Sequence, residues 1–90
     1  MRVQRYQLKP AEGELPIFGL TMPRCATLLG VHVQGGTRRC FLFALIDPLE
    51  PCTMRTFRAY ETGEPIPELA TFVCTFQASP LFWHLFELHG

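Results

Sequence analysis

The sequence lacks the patterns on which most catalytic, cofactor-binding and metal sites depend. Its 90 residues contain no G-x-G-x-x-G or P-loop pattern, no G-x-S-x-G nucleophile motif and no C-x-x-C pair. The longest apolar run, Cys40 to Ile46, is far shorter than the roughly 20 residues of a membrane-spanning helix. Acid–base or nucleophilic chemistry needs a matched pair of groups, and the sequence shows none. We therefore predict no enzymatic activity, no cofactor, no metal site and no membrane segment.

The chain also lacks a net charge, because eight basic and eight acidic residues cancel. Without a net field, bulk binding to nucleic acid or to an anionic membrane is not expected, although local basic spots remain open. The N-terminal residues alternate in polarity and do not form the apolar region of a signal peptide. We expect a cytoplasmic protein whose neutrality and 48% apolar content favour self-association.

The four cysteines are too widely spaced to form a recognisable zinc or disulfide framework without a secreted context. Cys40 and Cys74 lie within apolar segments, which predicts that they act as small core residues. The length and apolar content fit one domain spanning residues 1–90, with a small hydrophobic core.

Alternating polarity and regularly placed turn residues predict a β protein. The expected fold is all-β, or β-rich α+β: a compact antiparallel sheet or small sandwich of six or seven strands. A helix over Leu81 to His89 and a helical turn at residues 67–70 are the alternatives, and the aromatic residues favour a strand for the former. The predicted strands are Arg2–Leu8, an edge strand within Leu15–Leu20, Ala26–Gln34, Cys40–Ile46, Met54–Tyr60, Ala70–Gln77 and Leu81–Leu88.

Two of these strands carry further predictions. Gly35-Gly36 between two strand patterns indicates a β-hairpin. The second strand of that hairpin is apolar on both faces, which predicts a central strand covered on both sides. Strict alternation in Ala70–Gln77 predicts Phe72, Cys74 and Phe76 on one face.

A polar row in the fifth strand is the best candidate binding site. Alternation places Arg58, Tyr60 and Thr62 on one face, opposite Phe57 and Ala59. Arginine suits phosphate or carboxylate, and tyrosine offers a stacking surface. The alternative is an ordinary exposed face with Arg58 paired to Glu61, Glu64 or another carboxylate. The full set of predicted ligand- or partner-binding residues is Arg55, Arg58, Tyr60, Thr62, Gly63 and His84.

His84 is the one candidate general base. It lies among Trp83, Phe82 and Phe86, and no partner group is adjacent in sequence. A histidine packed in the core is the simpler interpretation, while the competing one places His84 beside Arg58 and Tyr60 in a small phosphoester-processing enzyme.

From Leu20 onward the chain resembles a family of small uncharacterised proteins, a domain of unknown function found in phages, prophages and bacteria. Glu61 and Glu64 replace a Gly and a His of the family pattern, and Phe43 replaces a Trp; the two added acids weigh against an anion-binding loop. The resemblance implies a mobile-element origin and supports the fold, but it implies no activity. The matching segments read Val31-His-Val-Gln-Gly35, Phe43-Ala-Leu-Ile-Asp-Pro48, Thr56-Phe-Arg-Ala-Tyr-Glu-Thr-Gly63, Pro65-Ile-Pro67, Thr75-Phe-Gln77 and Trp83-His-Leu-Phe-Glu87.

Together these features favour a non-catalytic binding protein of phage or prophage origin. We expect it to sequester or block a host target, either a defence protein or a small anionic ligand such as a nucleotide immune signal. A small enzyme acting on a nucleotide or phosphoester is one alternative, and a structural or oligomerising module is another. The predicted edge strands and the neutral charge are compatible with a homodimer.

Overall fold

The computed structural model describes residues 1–9, 17–34, 39–78 and 80–89. These residues form seven antiparallel strands and no helix, so the all-β prediction is confirmed, including a strand and not a helix at the C-terminal end. Within the described chain, no helix could cross a membrane. The strands are β1 (Arg2–Leu8), β2 (Ile17–Pro23), β3 (Thr27–Gln34), β4 (Arg39–Ile46), β5 (Cys52–Glu61), β6 (Thr71–Ala78) and β7 (Leu81–Leu88).

The strands are arranged in two sheets. One sheet has three strands in the order β1-β4-β3, and the other has four in the order β2-β5-β7-β6. Both β5 and β6 pair antiparallel with β7, so they run parallel to each other. Parallel strands cannot be joined by a tight hairpin, and residues 62–70 therefore cross over β7 to reach β6. We call residues 62–70 the crossover loop; its residues 67–70 form a turn, with the Ala70 N–H donating to the Pro67 carbonyl at 3.1 Å.

The inner faces of the two sheets enclose the hydrophobic core. Alternate residues of β4 and β5 are buried because their side chains point towards the opposite sheet. At one side of the sandwich, β3 lies next to β6. The core contains Leu8, Phe18, Met22, Ala26, Leu42, Ala44, Ile46, Phe57, Ala59, Phe76 and Leu85.

Strand β6 corrects the prediction from strict alternation. Its pairing with β7 shifts register between Phe72 and Cys74, which leaves Val73 as an extra residue in a β-bulge. An extra residue interrupts the alternation, so the side chains on one side of the bulge point to the face opposite to the one that strict alternation predicts. Phe72 consequently points outward with Thr75, while Cys74 and Phe76 point towards the core.

The β3–β4 hairpin is confirmed, because Gln34 lies opposite Arg39 in an antiparallel pair. The predicted Gly35-Gly36 turn lies outside the described residues. Strand β4 is central in its sheet, as predicted, but the predicted cover on both sides is only partly present. Its inner face is largely buried, and on its outer face Phe41 is buried whereas Phe43 and Leu45 are half-buried.

The four cysteines are all free thiols. Cys40 and Cys74 are half-buried beside the core, in line with their predicted packing role. Burial raises the pKa of both thiols because it disfavours the thiolate. Cys25, in contrast, is exposed in the turn between β2 and β3 and has a positive φ of 62°.

Candidate functional site

The structure divides the predicted site residues between the two faces of the four-stranded sheet. Arg55 points towards the opposite sheet with Phe57, whereas Arg58 and Tyr60 point outward. Successive side chains in a strand point to opposite faces, so Arg55 and Arg58, which are three positions apart, point in opposite directions. The single cluster expected from the sequence is therefore two separate clusters.

Arg55 forms an ion pair on the inner face with Glu87 of β7. Its Nε and Nη2 atoms donate to the two carboxylate oxygens at 2.7 and 2.6 Å. Its Nη1 atom donates to the Ala26 carbonyl at 2.9 Å and lies 3.7 Å from the Met22 sulfur. The hydrogen bonds from Arg55 lower the pKa of Glu87, and the same bonds raise the pKa of Arg55. Arg55 thus links β2, β5 and β7 at the core, which is a structural role.

Tyr60 contradicts the prediction of a solvent-exposed row, because it is only 1% exposed. Its ring meets the edge of Phe86 with centroids 5.7 Å apart. The Arg58 guanidinium lies above the Tyr60 ring, 4.4 Å from its centroid, in a cation–π contact. Burial of an outward-facing tyrosine follows from the chain connection, since the crossover loop passes over this side of β7.

Arg58 joins the sheet to the crossover loop. Its Nη2 atom donates to Glu64 Oε2 at 3.0 Å, and Glu64 Oε1 accepts a bond from the Glu61 backbone N–H at 3.0 Å. The alternative interpretation, in which Arg58 pairs with a nearby carboxylate, is therefore correct for Glu64. The Nε atom of Arg58 is buried and has no hydrogen-bond partner in the described part of the chain.

His84 lies half-buried on the outer face and not in the core, so the core interpretation was wrong. Its Nε2 atom is hydrogen-bonded to Thr62 Oγ1 at 2.8 Å, and its Nδ1 atom to Thr75 Oγ1 at 2.9 Å. These bonds fix the start of the crossover loop to β7 and β6. Gly63, which follows Thr62 in the crossover loop, has φ of 95°, a value that glycine adopts without a steric penalty.

The outer face of the four-stranded sheet has an apolar surface that the sequence did not reveal. Phe72 and Phe82 are 56% and 54% exposed, and Ile17 and Met54 are also exposed. Register places all four on the same face as Arg58. The bulge that turns Phe72 outward has no signature in a single sequence, although alternation alone could have placed Met54 and Phe82.

Among the described residues, no group of three or more His, Cys, Asp or Glu side chains could hold a metal ion. His84 is hydrogen-bonded directly to the Thr62 hydroxyl through Nε2 and to the Thr75 hydroxyl through Nδ1, while Arg58 pairs with Glu64. The arrangement can hold a loop and present a rigid surface. Ligand or partner binding by these residues stays a prediction.

Comparison with known proteins identifies the family of the chain. A family model described as "Domain of unknown function (DUF7352)" matches residues 1–90, and the chain belongs to this family. No curated protein and no solved structure matches it. Membership agrees with the resemblance to a domain of unknown function and assigns no activity.

Proposed function

We propose that this member of the DUF7352 family is a non-catalytic binding protein that holds a partner protein on the outer face of its four-stranded sheet. We call this surface the docking face. The observation that carries the proposal is the exposure of large apolar side chains on a face with almost no charge. The docking face consists of Ile17, Met54, Phe72 and Phe82 with Ile66 and Leu69 of the crossover loop.

A sheet face that only meets water normally carries polar side chains. Single exposed apolar residues are ordinary, but several on one sheet face are typical of interaction surfaces. Phenylalanine is also among the residues enriched at the centres of protein interfaces. The composition of the docking face therefore fits contact with another protein better than contact with solvent.

The charges of this face favour an apolar and uncharged partner surface. Among its described outward-facing strand residues, Arg58 alone carries a charge, and Glu64 neutralises it. A charged partner would gain no complementary charge here and would lose hydration on binding. The anchored crossover loop keeps the face in one conformation, which reduces the entropy cost of binding.

The polar residues of the candidate site already contact other groups of the protein, which supports a binding role over a catalytic one. Both ring nitrogens of His84 are hydrogen-bonded to threonine hydroxyls, and Arg58 is paired with Glu64. The Tyr60 ring is buried beneath the Arg58 guanidinium. A nucleotide would have to displace these contacts, which favours a protein target over a small anionic ligand.

The resemblance to phage and prophage proteins supports a more specific proposal. The protein acts in the bacterial cytoplasm as a counter-defence factor and blocks a host defence protein by occupying its apolar surface. No reaction is needed for this role, because a stoichiometric binder inhibits by occupancy alone.

The test uses tagged protein to capture its partner from a bacterial lysate, followed by calorimetry with the purified partner. Phe72→Ser with Phe82→Ser removes two apolar anchors, and Leu49→Ser is the matched control because Leu49 is 92% exposed in the β4–β5 connection. Loss of two interface anchors weakens binding by roughly 30-fold or more. The control is expected to bind like the unmodified protein.

Two results would contradict the proposal. One is a captured partner that binds the double variant and the control equally well. The other is sedimentation showing that the docking face is buried in a dimer of this chain, because the face would then serve self-association.

A further inference from the structure

We infer that the outer edge of β1 is a second binding site, where an extended acidic peptide adds a further strand to the three-stranded sheet. We call this edge, which consists of β1 with the adjoining Lys9, the acceptor edge. It is separate from the docking face, because β1 belongs to the other sheet. In strand addition of this kind, backbone hydrogen bonds provide affinity and the alternate side chains provide specificity.

The backbone of the acceptor edge can pair with another strand. Strand β1 is the last strand of its sheet, and among the described strands it pairs with β4 alone. A single partner leaves about half of its backbone N–H and C=O groups pointing away from β4. The Gln4 side-chain amide reaches the Arg5 carbonyl only at 3.5 Å, so this weak contact would give way to an added strand.

The geometry of β1 is regular enough to accept a strand. Its seven residues pair with β4 in one continuous register, whereas the pairing of β3 and of β6 is interrupted by a shift. Strand β1 contains neither glycine nor proline, while β2, at the edge of the other sheet, contains Gly19 and ends at Pro23. Proteins commonly block an edge with a bulge, a proline or a very short strand, and β1 has none of these.

The charges of the acceptor edge specify an acidic partner. Arg2, Arg5 and Lys9 are exposed, and residues 1–9 contain no Asp or Glu. Register places Arg2 on the inner face and Arg5 on the outer face. An added strand also presents side chains to both faces, so it can place one acid beside each arginine. Cross-strand pairs of opposite charge stabilise a sheet.

Arg5 is already oriented for such a pair. Its guanidinium lies 4.5 Å from the centroid of the Phe41 ring, which is buried beneath it. This cation–π contact orients the guanidinium plane, and the N–H groups at the rim of that plane can donate to a carboxylate. A side chain that is ordered before binding reduces the entropy cost of forming the complex.

The apolar residues of β1 define the rest of the partner. Val3 is 56% exposed on the outer face, and Tyr6 on the inner face is only partly buried against the core. Apolar side chains opposite these two residues would form cross-strand pairs with them. Read from opposite Tyr6 to opposite Arg2, the expected antiparallel partner has the pattern apolar, acidic, polar, apolar, acidic.

A second copy of β1 fits the acceptor edge less well than an acidic peptide does. A two-fold axis through the centre of Arg2–Leu8 would pair all seven residues and bring the two copies of Arg5 side by side. Like charges directly opposite each other destabilise a sheet. The same cations that oppose self-pairing attract an acidic strand.

The experiment measures fluorescence anisotropy of the labelled peptide Ser-Asp-Val-Thr-Ile-Glu-Thr-Val-Glu-Ser with the whole protein. Aligned antiparallel, its three acids lie opposite Lys9, Arg5 and Arg2. We expect saturable 1:1 binding that weakens as salt is added. The same peptide with lysine in place of each acid is expected to bind at least about tenfold more weakly.

Two further peptides separate strand addition from attraction by charge. In each, every second backbone nitrogen is methylated, starting from the first residue in one peptide and from the second in the other. Neighbouring residues of a strand point their N–H groups to opposite sides. We therefore expect one methylated peptide to bind normally and the other to lose binding, although their charges are identical.

Variants of the protein locate the site. Arg5→Gln is expected to weaken peptide binding by about two- to fivefold. Arg24→Gln is the charge-matched control, because Arg24 lies outside β1 and its side chain is 62% exposed. Circular dichroism establishes that each variant is folded. Hydrogen exchange is expected to slow in Arg2–Leu8 when the peptide binds, and the docking-face variant Phe72→Ser with Phe82→Ser is expected to bind the peptide normally.

Four results would overturn the inference. The first is an absence of saturable binding at low salt, which would leave the cations with the sole role of preventing self-pairing. The second is equal binding of the two methylated peptides, and the third is an equal effect of Arg5→Gln and Arg24→Gln. The fourth is a dimer in sedimentation whose β1 amides are protected without peptide, because a second copy would then occupy the edge.

Discussion

Glu87→Gln tests whether the Arg55–Glu87 pair is a major stabilising contact of the sandwich. The side chains of Arg55 and Glu87 are only 20% and 12% exposed, and two short hydrogen bonds join them. The variant keeps the size of Glu87 but leaves the Arg55 cation without a counter-charge. We expect a clear loss of stability, because an isolated cation is poorly solvated at the core boundary.

The magnitude follows from the burial of the pair. Removing one partner of a fully buried pair costs about 3–5 kcal/mol, and partial hydration here reduces this to about 2–3 kcal/mol. For a domain of this size, that corresponds to a fall in melting temperature of roughly 10–20 °C. Urea unfolding followed by circular dichroism measures the free energy of unfolding, and Glu68→Gln is the control because Glu68 is exposed. A loss below about 0.5 kcal/mol, the range of ordinary surface changes, would refute the reasoning.

Replacing both partners separates the loss of the pair from the cost of an isolated charge. Arg55→Met with Glu87→Met replaces the ion pair by two apolar side chains at the core boundary, where Arg55 lies beside Met22. Stability is expected to recover most of the way, although the Ala26 carbonyl loses its donor. A double variant no more stable than Glu87→Gln would show that the isolated cation is not the cause.

The same pair predicts a pH dependence with a defined sign. The pKa of Glu87 in the folded protein is lowered, mainly by the hydrogen bonds from Arg55. Its stabilising contribution is therefore complete above the unfolded pKa of about 4.3 and is lost as the pH falls through the folded pKa. The stability difference between the unmodified protein and Glu87→Gln should be largest near neutrality and shrink in acid. A difference that stays constant on acidification would contradict the assignment.

Three further predictions concern the loops and bulges. Glu64→Gln removes the partly exposed ion pair with Arg58, so hydrogen exchange should accelerate in residues 62–70 while global stability falls by only about 0.5–1 kcal/mol; unchanged exchange would mean that Glu64 does not anchor the loop. Cys25→Asn suits the left-handed φ of 62° and should raise the free energy of unfolding by about 0.5–1 kcal/mol, measured in urea, and a destabilised variant would contradict this. Gly30→Ala meets open space but an unfavourable φ of 150°, so it should destabilise by about 1–3 kcal/mol in the same assay; a neutral result would show that the bulge relaxes.

Local chemistry in the sequence was sufficient to predict seven strands but not all of their bounds: β2 continues to Pro23, beyond the predicted end at Leu20, because an edge strand tolerates proline. The period-two pattern of Arg2–Leu8 predicts β1 with its observed bounds, and the hairpin signal correctly joins β3 to β4. Both depend on contacts between residues close in the chain. The pairing of Arg58 with Glu64 was also among the expected alternatives because the two residues are only six positions apart.

Only the tertiary structure determined the roles of the candidate residues. Arg55 pairs with Glu87, which is 32 positions away in the chain. Tyr60 is buried because the crossover loop passes over the outer face of β7 on its way to β6. The bulge at Val73 turns Phe72 to the outside, and alternation cannot reveal an inserted residue. Alternation in a sequence specifies which residues share a face of a strand, but the order of strands decides what covers that face.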